Sequence, residues 1–470
     1  MNSTISRLSE TADGLPWPER LWSIVTIAVS VSMSMLDTTI ANVALPTIAA
    51  NLHSSAAASV WVVNAYQLAV MLMVLPLASL GDIHGYRRIY MTGLAIFTVA
   101  SLFCAGSVSL PMLATVRALQ GVGAACLFSV NAALLRAIYP RAMLGRGLGI
   151  NAFVIATSAA AGPTVAGGIL AVASWRWLFL INVPLGLAAW TLALRSLPAS
   201  HRMPQHFDYG SALLSALAFG LLITAIDGLG HGEDVSFIAG EFAAALVFGA
   251  LFAWRQILIP FPMLPVGLFA RPVFTLSVMT SICSFVAQAL ALVSLPFFFE
   301  HTLGLSDVQT GLLITPWPLT IAVVAPIAGR LSDRFPVGIM GGIGLAIMAI
   351  GLVAVARLQP QPAAYDVAWR MALCGFGFGF FQSPNNRAII AATPRERSGS
   401  AGAVISTARL LGQTTGTAFV ALIFGMTAES VTHRGAALAV LLGAGFAAGA
   451  AAVSSLRLMN RVPTERETRT

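Results

Sequence analysis

The chain contains no lysine, and only 9% of its 470 residues are charged. An ordinary soluble domain carries about 25% charged residues. With 57% of residues hydrophobic, a soluble fold of this size could not hide its apolar surface. The solvent for most of the chain must therefore be lipid. The missing lysine also excludes a Gly-x-x-x-x-Gly-Lys-Ser/Thr phosphate loop, and with it direct drive by ATP. Cysteine is scarce. Cys104, Cys126, Cys283 and Cys374 each fall inside an apolar stretch, with no Cys-x-x-Cys pair, which argues against a disulfide framework and a thiolate metal site. The seven histidines lie in loops or at the ends of apolar stretches. The paired histidines and acids that a membrane-embedded enzyme would need are absent, as is the polar ring of a channel. No metal, cofactor or enzymatic activity is expected. Residues 1–20 are polar and carry no secretory signal, so the first apolar run is expected to remain as a membrane helix.

What is present is a long succession of apolar stretches. A bilayer span needs about 20 mainly apolar residues. Fourteen candidates run approximately 21–43, 59–80, 89–108, 110–131, 149–172, 178–197, 209–228, 236–254, 273–297, 308–329, 337–357, 367–391, 400–425 and 435–457. The third and fourth nearly touch at Val108–Pro111, which predicts a tight hairpin. An even count puts both termini on one side. Placing them in the cytoplasm gives the inner loops twenty of the 26 arginines. Arg176, Arg357, Arg370 and Arg434 fall outside, and Arg117 and Arg409 lie within spans. That asymmetry fixes the orientation by the positive-inside rule. It also turns the net charge of +8 into a topology signal rather than a nucleic-acid footprint.

Two loops repeat. Leu80-Gly81-Asp82-Ile83-His84-Gly85-Tyr86-Arg87-Arg88 follows the second span, and Gly329-Arg330-Leu331-Ser332-Asp333-Arg334 follows the tenth, with 251 positions between the two aspartates. Internal repeats of this kind mark many transporter folds. A six-helix half needs roughly 200 residues, leaving about 50, enough for two extra spans.

At this point the sequence resembles the major facilitator superfamily, and within it the fourteen-helix drug/proton antiporters. Leu36-Asp37-Thr38-Thr39-Ile40-Ala41-Asn42-Val43-Ala44-Leu45-Pro46 is similar to the first-helix signature of that subfamily. Residues 80–88 resemble the superfamily's acidic–basic loop motif, with Ala78, Ile83 and Tyr86 where glycine and arginines are usual. Arg117-Ala118-Leu119-Gln120-Gly121-Val122-Gly123 resembles the fourth-helix Arg-x-x-Gln-Gly motif. Gly162-Pro163 with Gly167-Gly168 resembles the fifth-helix antiporter motif, with Ala166 replacing a glycine. The run Trp175–Pro184 adds a further subfamily-like stretch. The resemblance implies an all-α membrane protein of two six-helix bundles, 21–197 and 259–457. Two inserted helices would fill 198–258, with cytoplasmic tails at 1–20 and 458–470. It implies alternating access in a cell (inner) membrane, exchanging protons for a small-molecule substrate, with the chain expected to act as a monomer.

Asp37 is the acid set deepest in a span. An ionised carboxylate there is costly, about 2.5–3.5 kcal/mol on insertion scales, which makes it a functional candidate by default. Helical spacing places Ser30, Ser34, Asp37 and Ala41 on one face. Arg117 lies about 10 Å below the outer edge and Asp37 about 9 Å, at about 1.5 Å per residue, so the two can meet. Burial favours the neutral acid and a cation favours the ionised one. The pair could serve proton coupling or be a permanent structural bridge. Gln120 shares the Arg117 face. Asn64, Gln67, Gln288, Arg409 and Gln413 join Ser34 and Gln120 as candidate substrate contacts, with interhelical bonding as the alternative. Asp82, Arg87, Arg88, Asp333 and Arg334 are candidates for gating by charge pairing. Single exposed pairs are usually worth under about 1 kcal/mol, so several would have to act together. The Gly162-Pro163 step removes a backbone hydrogen bond and weakens the fifth span there.

Overall fold

The computed structural model describes residues 13–457 apart from short segments at 55–58, 60, 200–201, 204–205, 232–233, 260–261, 265, 300–302, 304, 306, 360–361, 394–397 and 427–431. Among the described residues it is entirely helical, with no strand. In lipid a backbone must satisfy its own polar groups, and a helix does so within one segment. The first half runs α1 Glu19–Asn51, α2 Trp61–His84, α3 Tyr86–Ala105, α4 Leu110–Ile138, α5 Leu144–Val172, α6 Arg176–Leu180 and α7 Asn182–Ser196. Then come α8 Tyr209–His231 and α9 Val235–Leu258. The remainder is α10 Pro272–Phe297, α11 Asp307–Ile314, α12 Pro316–Leu331, α13 Val337–Ala356, α14 Ala364–Ala392, α15 Ser398–Met426 and α16 Thr432–Leu456. Eleven of the described helical segments are long and apolar enough to cross a membrane.

Two expected spans are broken by proline. Pro184 cannot donate to the Leu180 carbonyl, and the helix interrupts at Ile181 between α6 and α7. Pro316 and Pro318 likewise remove two donors, and the chain breaks at Thr315 between α11 and α12.

The described chain divides into two compact units. Unit 1 comprises Met1–Thr224, Ala239–Leu264 and Thr393–Thr407; unit 2 comprises Ala225–Ile238, Pro265–Ala392 and Ala408–Thr470. Within unit 1 a core of Ile40, Ile48, Val62, Leu113, Trp175 and Phe179 joins α1, α2, α4 and α6. Within unit 2, Val286 and Leu290 of α10 pack with Val420 and Ala439.

Glycine sets how closely these helices approach. In the run Gly375–Gly379, Gly375 and Gly379 lie one turn apart and face α12, where a Cβ on Gly379 would sit 3.1 Å from the Ile321 Cα. Gly377 faces α13 instead, and a Cβ there would come 2.5 Å from the Gly344 carbonyl oxygen. The run therefore seats α14 between two neighbours by omitting side chains. A Gly377→Val variant is expected to lose about 1–3 kcal/mol through overpacking, read as a lower melting temperature in detergent.

The α8–α9 hairpin is closed by charge. Asp208 accepts from Arg255 Nη2 at 2.9 Å and Nε at 3.1 Å, and from the Ser211 hydroxyl at 2.6 Å. Burial pushes the Asp208 carboxyl up, but the bonds from Arg255 and Ser211 outweigh it and hold the group at about 2. A carboxyl lowered by folding stabilises the native state above its unfolded value near 3.8, and that contribution is lost as pH falls through about 2. Asp208→Asn is therefore expected to melt lower than wild type at pH 7. The gap should close between pH 4 and 2 in a thermal-melting series.

Candidate functional site

Four helices deliver polar side chains to one buried point in unit 1. Asp37, midway along α1, is 2% exposed; Arg117 and Gln120 of α4 are fully buried. Arg117 Nη1 meets Asp37 Oδ2 at 2.5 Å. Asp37 Oδ1 accepts from Gln120 Nε2 at 2.9 Å and from Asn182 Nδ2 at 2.8 Å. Arg117 also donates to Gln120 Oε1 at 2.7 Å and to the Val62 carbonyl at 2.9 Å. Gln120 Nε2 donates in addition to Ser101 Oγ of α3 at 2.8 Å, and the Cys104 thiol lies 3.6 Å from Gln120 Oε1.

The local reasons are legible. Arg117 and Gln120 are three residues apart and share a helical face. Asn182 opens α7 immediately after the break that Pro184 imposes, so the interruption turns this amide inward. The Arg117 guanidinium lies 4.4 Å from the Tyr66 ring centroid and 5.6 Å from that of Phe179, where the ring faces add cation–π attraction. A Cβ added at Gly162 of α5 would fall inside the Thr39 side chain, two residues from Asp37. A second α1–α5 link joins Ser158 and Ser32 at 2.9 Å.

The arrangement has a direct chemical consequence. Both carboxylate oxygens of Asp37 already accept hydrogen bonds. Oδ1 accepts two hydrogen bonds and Oδ2 one, so Oδ2 keeps a lone pair for a proton, and protonation there would remove the negative charge that holds Arg117.

The other candidates lie elsewhere. Ser34 is buried but turns its hydroxyl to the Ser30 carbonyl at 3.1 Å. On α2, Asn64 is half-buried and Gln67 exposed. In unit 2, Gln288 and Arg409 are half-buried and Gln413 is exposed. Asp82 is buried and accepts from the Tyr86 hydroxyl at 2.8 Å, so the tyrosine standing where the motif has arginine supplies a neutral donor. Arg87 donates to the Leu194 carbonyl, and Arg88 is exposed. In unit 2, Asp333 lies 3.5 Å from Arg387, while Arg334 is exposed. Gly167 and Gly168 face open space. The Pro163 side chain lies outside the described residues.

Sequence reasoning had not assigned Asn182, Ser101 or Cys104 to the network, nor Phe179 to the Arg117 seat. Asn182 did carry a signal: a polar residue two positions before a proline inside an apolar run.

Several known proteins of similar sequence are transporters. The chain is 53% identical over 449 residues to the uncharacterized transporter YebQ of Escherichia coli (strain K12), covering 95% of this chain and 97% of that protein. It is 32% identical to the riboflavin transporter RibZ of Clostridioides difficile (strain 630), covering 87% and 89%. It is also 32% identical to the multidrug efflux pump LfrA of Mycolicibacterium smegmatis (strain ATCC 700084 / mc(2)155), covering 87% and 81%. The fold is similar to that of the human organic anion transporter MFSD10, with a TM-score of 0.68 at 13% identity, covering 94% of this chain and all of that one. The family model for the Major Facilitator Superfamily matches residues 27–417. With this helical fold, the chain belongs to the Major Facilitator Superfamily and is an integral membrane transporter, not an enzyme.

Proposed function

We propose that this transporter is a proton-coupled antiporter of the fourteen-helix drug/proton type, exporting a hydrophobic, cationic compound by alternating access. The observation that carries the reading is the buried Asp37–Arg117 pair, held by Gln120 and Asn182, in which protonation of the carboxylate would remove the charge that binds the arginine. Deprotonated, the site can attract a cation; protonated, it cannot. The fourteen-span count is supported by α8, α14 and α15, which have bilayer length at 23, 29 and 29 residues besides the eleven apolar segments. Helix α8 contributes a shorter described apolar stretch, and α14 and α15 carry more polar residues. The arginine asymmetry supports both termini in the cytoplasm of a cell with an inner membrane.

The proposed substrate contacts are Ser34, Asn64, Gln67, Gln288, Arg409 and Gln413. Asp82, Arg87, Arg88, Asp333 and Arg334 are the proposed gate, and Gly162, Pro163, Gly167 and Gly168 the proposed antiporter element. In proteoliposomes, efflux of a fluorescent cationic dye is expected to accelerate under an imposed pH gradient and to saturate with dye. Flux that ignores the gradient would refute antiport. A second reading, transport of one specific metabolite in either direction, is favoured by similarity to RibZ equal in identity to that with LfrA. Counterflow of riboflavin with no dye flux would establish it.

A further inference from the structure

The second deeply buried arginine has no carboxylate partner among the described residues. Arg457 follows the last residue of α16 and is 6% exposed. Its Nη2 reaches back to α10, donating to the Leu276 carbonyl at 3.1 Å and to the Thr280 hydroxyl. Thr280 lies 3.2 Å from Asn385 Oδ1 of α14, and Asn385 Nδ2 donates to the Ser277 carbonyl at 3.1 Å. Three helices of unit 2 thus converge on one buried polar cluster. Arginine has five N–H donors. Nε and Nη1, which carry three of them, are buried without a hydrogen-bond partner.

The contrast with the other arginines is chemical. Arg117, fully buried, is met by Asp37, and although its Nη2, like Nε and Nη1 of Arg370, lacks a hydrogen-bond partner, a carboxylate balances its charge. Arg255, Arg370 and Arg387 each pair with an aspartate. Among the described residues no carboxylate pairs with Arg457. A buried charge with unmet donors is expensive unless an anion completes it. The membrane-spanning stretch of α16 ends at Leu456, so Arg457 sits where a bilayer changes from hydrocarbon to headgroup. Phosphate is the abundant oxyanion at that depth, and guanidinium is well suited to bind it.

We propose that Arg457, positioned by Thr280, whose own hydroxyl donates to the Leu276 and Ser277 carbonyls, forms an oxyanion site that takes a phosphate group at the α16 end of unit 2. The group is either the phosphodiester of an anionic phospholipid or free inorganic phosphate. The proposal rests on the membrane reading and is independent of proton coupling.

The test uses the purified full-length chain in detergent, with native mass spectrometry and thermal melting. The probes are phosphatidylglycerol, phosphatidylcholine and inorganic phosphate. Phosphatidylglycerol is expected to persist as an adduct and raise the melting temperature, with Arg457→Gln weakening its apparent affinity at least about tenfold, equivalent to about 1.4 kcal/mol. Arg457→Lys should retain part of the effect. Stabilisation by inorganic phosphate without a lipid adduct would assign the site to the free anion. Thr280→Val keeps the cation and removes one hydroxyl, so it provides a second reading if Arg457→Gln does not fold; it too should weaken phosphate binding. Unchanged affinity in either variant overturns the proposal. So does a Glu465→Gln/Glu467→Gln chain that melts as low as Arg457→Gln and adds nothing to it, since the carboxyl-terminal tail would then supply the partner.

Discussion

Asp37→Asn is expected to abolish pH-gradient-driven efflux and, because it leaves Arg117 buried without its carboxylate, to lower the melting temperature as well. Asparagine is nearly isosteric and its carbonyl can still accept from Gln120 or Asn182, but it cannot exchange a proton. The initial rate of gradient-driven dye efflux in proteoliposomes should fall at least about a hundredfold, about 2.7 kcal/mol at about 1.36 kcal/mol per decade. Downhill exchange of dye without a gradient should survive in part, because that cycle needs the cavity and not the proton. Full gradient-driven export by the variant would remove Asp37 from the coupling mechanism. A collapse of both cycles in protein that remains folded in detergent would recast the residue as structural.

The second large effect is on stability, from the other side of the same bond. Arg117→Met is expected to cost about 3–5 kcal/mol, because it leaves Asp37 buried opposite an uncharged side chain. It also removes the donor to the Val62 carbonyl and the cation between Tyr66 and Phe179. The double variant Asp37→Asn/Arg117→Met should recover most of that loss, since neither partner is then a buried charge. Melting temperatures of wild type, both single variants and the double variant form the cycle that measures this coupling. Near-additive losses would mean that the pair is not energetically linked. Transport should remain absent in the double variant whatever its stability, which separates the functional claim from the structural one.

These expectations draw on sequence and structure unequally. Lysine-free loops, apolar runs of bilayer length and the repeated Leu-x-Asp loops were sufficient to read an all-helical transporter, because lipid leaves a chain few ways to satisfy its backbone. Asp37 and Arg117 share a depth, since an α-helix converts residue number into distance across a membrane, and the family resemblance, which implies that the first and fourth helices adjoin, pairs them. Gln120 followed from its spacing. The helix breaks were less legible. Pro184 and Pro316 stand at positions where the donor they remove interrupts the helix, yet prolines at 76, 326 and 384 sit within continuous helices. Which proline breaks a helix depends on whether neighbours support the freed carbonyl.

The sequence by itself determined the solvent, the helical class, the family and the one acid that a membrane would not hold without reason. The solvent and the helical class follow from composition and from periodicities internal to single segments, and the family from the motifs whose resemblance carries it. Only the tertiary structure decided which neutral groups complete the charge pair. Asn182 lies 145 positions from Asp37, and nothing local to either residue encodes that meeting. The tertiary structure also singled out Arg457 as a buried cation without a carboxylate among the described residues. In the sequence it was one more arginine at a helix end, and burial belongs to the surrounding helices rather than to the residue.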